Sequence, residues 1–286
     1  MLDIKKTGIR ALSGAVYVTM IVLACWCGAP GLTLLALLFG ALGMFEFRQM
    51  RFGPQGASLP LTVYDIFGIC CLILSAYWLP LLMLWVTWMM GRMVITIYSR
   101  ADHPEKQFAV DMAGQVYIGI PLFIMTLMAK FCDLDIATCM PVLSIFILIW
   151  VNDTGAFIFG SIFGRHKLFE RVSPKKSWEG FWGGALCAIG GGALIGATGT
   201  DLAQGSITDP LWFWLGAGAV IAVAATFGDL FESVIKRNLH IKDSGNIMPG
   251  HGGILDRIDS LLMVLPAMLL YFLIYNCTAL MTVLPF

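Results

Sequence analysis

Apolar stretches of about twenty residues recur along the chain, and they limit its fold more than any other feature. A helix of that length, rising 1.5 Å per residue, covers the roughly 30 Å hydrocarbon core of a bilayer. Such stretches can be placed at 9–29, 31–47, 60–77, 79–98, 113–130, 136–159, 179–199, 211–228 and 260–283. The close pairs are divided by Ala29-Pro30-Gly31 and Trp78-Leu79-Pro80, which stop one helix and start the next. Apolar residues make up 58% of the chain and charged residues 13%, whereas soluble domains carry about a quarter charged residues. The expected fold is an all-α integral membrane protein, a polytopic bundle of about nine transmembrane helices. The short run 31–47 and the long run 136–163 leave eight to ten as the range.

The basic residues test this layout independently. If Lys5, Lys6 and Arg10 lie in the cytoplasm, nine spans bring Arg48, Arg51, Arg92, Arg100, Lys106, Arg165, Lys167, Arg171, Lys175, Lys176, Lys236, Arg237, Lys242 and Arg257 to the same side. Of the 18 lysines and arginines, only Lys130 falls opposite. Cytoplasmic loops collect Lys and Arg, so the expected orientation is N-in and C-out. The run ending in Val22-Leu23-Ala24-Cys25 resembles a signal peptide, but it is long for one and further spans follow at once, so an uncleaved first helix is expected. The eight cysteines mostly fall in or beside spans and show no C-x-x-C or Cys/His ligand spacing. Only Cys132 and Cys139 suggest a disulfide.

Polarity is uneven. The sequence reads as one membrane domain over 1–286, with a scaffold group of spans over 1–140 and a catalytic group over 141–286. The latter holds two charge-rich cytoplasmic segments, 164–178 and 229–259. Small residues at Gly190-Gly191-Gly192 and Gly216-Ala217-Gly218 permit close helix packing, within one chain or between two.

Three polar clusters carry the chemistry. The first is Asn152-Asp153-Thr154-Gly155 at the cytoplasmic end of a span, where an acid is costly unless paired, hydrated or bound to metal. A helix-end carboxylate reaching water accounts for it alone. The second, Ser173-Pro174-Lys175-Lys176-Ser177, directly precedes a span. It reads either as positive charge at the membrane surface or as a phosphate site, because helix N-termini favour phosphate. The third begins with Asp229, Ser233 and Lys236, at i, i+4 and i+7 on one helix face. It continues through Lys242-Asp243 and Pro249-Gly250-His251-Gly252-Gly253 to Asp256 and Asp259, at i and i+3. Helix caps explain one of those two aspartates. Paired aspartates, basic residues and a glycine-rich nest are together the parts that hold Mg²⁺ and a polyphosphate. No Walker A or G-x-G-x-x-G motif is present, so a P-loop or dinucleotide fold is excluded at motif level. Outside these clusters, Glu46 is expected to snorkel or pair with Arg48 or Arg51, and Asp65 to line a polar cavity or pair with another helix.

Ser233-Val-Ile-Lys236-Arg237, Lys242-Asp243-Ser-Gly245 and Pro249-Gly-His251-Gly252-Gly253-Ile-Leu-Asp256-Arg257-Ile-Asp259-Ser260 closely resemble the signature of the phosphatidate cytidylyltransferases, or CDP-diacylglycerol synthases. Met248 stands where that pattern has Leu, Ile or Phe. The first two clusters also resemble the family, over roughly 150–262, while residues 1–140 match only in multi-span character.

The resemblance implies transfer of CMP from CTP to phosphatidate, giving CDP-diacylglycerol and pyrophosphate with Mg²⁺ as cofactor; a second, monovalent ion is left open. It implies metal ligation by Asp229, Asp256, Asp259 and Asp153. Lys236, Arg237, Lys242, Asp243, His251 and Arg257 form the catalytic set, with His251 and its glycines shaping the nucleotide pocket. Lys175, Lys176, Ser177, Ser233, Gly252, Gly253 and Ser260 contact substrate phosphate or support it. Two other readings use similar parts: a CTP-dependent kinase of a membrane lipid alcohol, and a transporter of a phosphorylated solute. The expected partners are CTP and bilayer phosphatidate, without nucleic acid, and a homodimer is open. The expected location is a bacterial inner membrane, with the site facing the cytoplasm.

Overall fold

The computed structural model describes residues 4–56, 58–132, 139–198, 210–248 and 252–283. The helices are α1 (Ile4–Trp26), α2 (Gly28–Gly56), α3 (Leu59–Leu74), α4 (Pro80–Tyr98), α5 (Pro104–Gly114), α6 (Ile120–Cys132), α7 (Met140–Phe163), α8 (Trp178–Ala197), α9 (Pro210–Asn238) and α10 (Leu255–Val283). A single π-helical turn, Gln115–Gly119, joins α5 to α6. Each of the nine predicted stretches lies mainly on helix among the described residues. Among the described residues, seven helical runs are long and apolar enough to cross a bilayer, and Ala11–Trp26 and Leu59–Leu74 are shorter apolar helices.

The boundaries follow local chemistry. Proline occupies the first turn of α3, α4 and α5, where its missing N–H costs nothing. Near its end α2 breaks at Gly53, whose φ of 73° suits glycine. The charge-rich segment 164–178 contains a two-stranded antiparallel hairpin, β1 (Lys167–Phe169) and β2 (Ser173–Ser177). Among the described residues the fold is helical, as expected, with this small hairpin added between α7 and α8. Lys167, Glu170, Arg171 and Lys175 of this hairpin are exposed, while Val172, at its turn, stays buried.

By compactness the chain forms two units, Met1–Cys139 with Asn238–Ile258, and Met140–Arg237 with Asp259–Phe286. In the first, α2 packs against α1, α3 and α6, around Ile21, Leu32, Phe39, Met44, Ile69 and Leu122, all fully buried. A charge network also lies inside this unit. Arg48 of α2 pairs with Asp65 of α3 and Asp111 of α5, and Arg92 of α4 pairs with Asp111. Arg92 Nε lies 3.2 Å from Asp65 Oδ1, and Arg48 Nε donates to Thr62 Oγ1 at 3.1 Å. Gln115, in the π turn, donates to the Asp65 carbonyl at 2.8 Å and accepts from Trp85 Nε1 at 3.1 Å. Asp65 thus pairs with other helices, one of the two expectations for it. Both arginines belong to the basic tally that sets the expected orientation, yet their charge is matched inside the helices.

In the second unit small residues set the spacing. A Cβ on Gly218 would lie 2.5 Å from the Ala188 carbonyl oxygen, and one on Gly228 would lie 2.8 Å from that of Asp259. Helices that approach this closely gain dispersion contact that lipid cannot supply. The glycines at 192 and 218 thus serve contacts within the chain, since Gly192 abuts the Trp214 backbone. In the first unit, buried Cys139 donates its thiol to the Ala129 carbonyl at 3.7 Å; the side chain of Cys132, the other half of the suggested disulfide, lies outside the described residues.

Candidate active site

α9 runs unbroken through Asp229, Ser233 and Lys236, so the predicted shared face exists. Ser233 Oγ donates to Asp229 Oδ1 at 3.3 Å. From β2, Lys176 places its Nζ 2.7 Å from Asp229 Oδ2 and donates to the Thr226 carbonyl at 3.4 Å. Lys236 Nζ lies 3.2 Å from Glu232 Oε2 one turn earlier. Arg237 Nε donates to the Val172 carbonyl at 3.4 Å, which ties the end of α9 to the hairpin turn.

Asp259 enters the same group from α10. Its Oδ1 accepts from the Ser260 amide at 2.6 Å, and its carboxyl stands within electrostatic reach of Asp229 and Glu232. Ser260 Oγ donates to the Ala225 carbonyl at 3.3 Å, holding α10 against α9. Asp153 of α7 accepts from Asn152 Nδ2 at 3.2 Å and faces the charges of Asp229 and Lys176. Three predicted acids, Asp153, Asp229 and Asp259, therefore share one neighbourhood with Lys176. Glu232 joins them. Its spacing, three after Asp229 and four before Lys236, was visible in sequence but carried no role there.

The second cluster, residues 173–177, divides. Lys175 is exposed and Lys176 half-buried, while buried Ser177 caps α8, its Oγ accepting from the Gly180 amide at 3.2 Å. An N-cap serine satisfies an otherwise unpaired helix donor. Next to it, Glu179 accepts from the His166 and Arg165 amides, which fixes the hairpin to the helix start.

The rest of the signature lies in the first unit. Asp256 Oδ2 accepts from the Ser244 amide at 2.9 Å, Ser244 Oγ at 3.0 Å and the Gly253 amide at 2.8 Å. That oxygen closes the loop onto the first turn of α10. The Met248 amide donates to the Gly252 carbonyl at 2.9 Å, and Gly252 has a φ of 85°. Lys242, Asp243 and Arg257 are exposed, and the Arg257 carbonyl accepts from Tyr17 OH at 3.0 Å. His251 lies outside the described residues.

Among the described residues, no three His, Cys, Asp or Glu side chains stand close enough to enclose a metal ion. Mg²⁺ commonly takes only one or two carboxylates and completes its shell with water and substrate phosphates. The acids around Asp229 and Asp259 fit that kind of site.

The sequence matches the cytidylyltransferase family over residues 8–275. It is 46% identical over 125 residues to a protein of Staphylococcus epidermidis named phosphatidate cytidylyltransferase, with 44% of this chain and 46% of that protein covered. Proteins of the same name from Staphylococcus aureus strain COL and Staphylococcus saprophyticus are each 42% identical, over 128 and 125 residues, with the same shares covered. The chain thus spans about half the length of the curated relatives it matches. With a family match across nearly all its helices, and with acids and lysines gathered on α7, β2, α9 and α10, the chain belongs to the cytidylyltransferase family.

Proposed function

We propose that the protein transfers CMP from CTP to phosphatidate, forming CDP-diacylglycerol and releasing pyrophosphate. The family match over residues 8–275 carries this reading, and the relatives' names supply the lipid acceptor. A phosphate oxygen of phosphatidate attacks the α-phosphorus of CTP. As the new P–O bond forms, the bond from that phosphorus to the bridging oxygen of the β-phosphate breaks, and its electron pair leaves with pyrophosphate. The lipid phosphate is already ionised at neutral pH, so the step needs no strong general base. Positioning and charge neutralisation supply most of the catalysis in such transfers.

Lys176 and Lys236 meet that need while already oriented by Asp229 and Glu232. Arg237, Lys242, Arg257 and Lys175 add positive charge for the two phosphorylated substrates, with Asp243, His251, Gly252 and Gly253 shaping the nucleotide pocket. Ser233 and Ser260 orient Asp229 and the start of α10. Mg²⁺ bound by Asp229 and Asp259, with Asp153 beside them, would neutralise charge on the triphosphate. Asp256 would reach a metal only through the oxygen not engaged with Ser244 and Gly253.

Nine spans, N-in and C-out, would open this site to cytoplasmic CTP while the acyl chains stay in a bacterial inner membrane. The distribution of Lys and Arg supports that orientation. A homodimer is compatible with it.

The test uses purified protein in detergent with phosphatidate, Mg²⁺ and CTP labelled at either the α- or the γ-phosphate. The reading requires α-label in the lipid and γ-label in pyrophosphate. γ-Label in an added polyprenol would identify a kinase instead.

A further inference from the structure

Glu46 lies on α2, almost two hundred residues from the signature, and only 1% of its surface is exposed. It neither snorkels nor pairs with Arg48 or Arg51, as its sequence position suggests. Its Oε1 accepts from the Ile254 amide at 2.9 Å. Its Oε2 accepts from the Leu255 amide at 3.0 Å and from Ser244 Oγ at 3.1 Å. The amides opening a helix have no acceptor within that helix, and a carboxylate complements both the donors and the helix dipole.

Asp256 complements the arrangement from the other side. Three consecutive amides are shared between two carboxylates: Gly253 donates to Asp256, and Ile254 and Leu255 donate to Glu46. Ser244 Oγ contacts both acids. Two signature glycines are explained by the same carboxylate. A Cβ on Gly245 would lie 2.6 Å from Glu46 Oε1, and one on Gly253 would collide with Glu46 Oε2 and Ser244 Oγ. The loop has no room for side chains there because an acid from α2 occupies the space.

We infer that Glu46 is a positioning residue: it holds Ser244, Ile254 and Leu255 of the signature, and with them the first turn of α10, in the arrangement the reaction uses. Its link to turnover rests on the cytidylyl-transfer reading; its hold on the loop does not. Without it, the Ile254 and Leu255 amides lose their acceptor, and Asp256 loses the partner that fixes Ser244.

Glu46→Gln tests this, because it keeps the shape while placing an amide donor against backbone donors. Amide hydrogen exchange and steady-state turnover are measured on the same detergent preparations. The expected result is exchange at Ile254 and Leu255 at least tenfold faster with α7 and α8 unchanged, and kcat at least tenfold lower with KM for CTP altered less than threefold. Glu46→Asp, which retains the charge, should recover part of both. Adding Ser244→Ala to Glu46→Gln should cost less than Ser244→Ala does in the wild type. If Glu46→Gln does not accumulate, Ser244→Ala alone should accelerate exchange at 253–255. Unchanged exchange at 253–255 overturns the inference, as does acceleration spread evenly over the chain. Failure of the wild type to move label from CTP overturns the transferase reading instead, and exchange still decides the role of Glu46.

Discussion

Lys176 Nζ sits 2.7 Å from Asp229 Oδ2, joining the hairpin to the acidic face of α9. Both side chains retain some exposure, 26% and 38%, so the pair contributes little to stability. What it does is hold a cation beside a carboxylate, ready to be redistributed when phosphate arrives.

Lys176→Gln is therefore expected to lower turnover by about a hundredfold, as loss of one charge-stabilising donor does elsewhere. The protein's thermal midpoint should stay within a few degrees. Lys176→Arg should retain more activity than Gln. Initial rates with labelled CTP decide this, and equal rates for wild type and Gln would remove Lys176 from the site.

The acids should separate by their Mg²⁺ dependence. Chelation is expected to stop turnover, and added Mg²⁺ to restore it. Asp229→Asn and Asp259→Asn should lower activity on the order of a hundredfold or more and raise the Mg²⁺ concentration needed for half-activation. Asp256→Asn removes charge from an oxygen that receives three loop donors. It should lower kcat with a smaller change in that concentration. A Mg²⁺ titration of each variant distinguishes ligand from loop anchor.

Gly228 lets the Asp259 backbone approach α9, where a Cβ would lie 2.8 Å from its carbonyl oxygen. Gly228→Ala is expected to cost roughly 1–3 kcal/mol of stability by overpacking. Activity should fall further than stability, because Asp229 and Asp259 flank that contact. Thermal unfolding and turnover, measured side by side, would reveal the difference.

Asp111→Asn strands two buried arginine contacts. Breaking one side of a buried pair costs about 3–5 kcal/mol. The double variant Arg92→Met with Asp111→Asn should be less damaging than the sum of the two single changes. Thermal midpoints in detergent test the coupling.

Much of this was readable from residues alone. The nine apolar stretches mark helices because their length and hydrophobicity are local properties. Asp229, Ser233 and Lys236 share a face because helical periodicity is local too. The hairpin at 167–177 was not legible, since a run rich in Lys, Arg and Ser carries no strand alternation. Ser177 looked like a phosphate ligand because a cap and an anion site use the same residue at the same place. Glu46 was flagged as an acid in an apolar stretch, but its donors are backbone amides 208 and 209 residues away. No local pattern encodes such a partnership.

The charge network of Arg48, Asp65, Arg92 and Asp111 also bears on how the chain is made. During synthesis these residues emerge in that order, with alternating sign, on α2, α3, α4 and α5. An arginine entering a bilayer alone costs about 2.5–3.5 kcal/mol on insertion scales. Here α2 with α3 is neutral in this network, as is α4 with α5. Within this network, therefore, no buried charge need wait longer than one helix for its partner, and these four helices can insert as two neutral hairpins that later interlock.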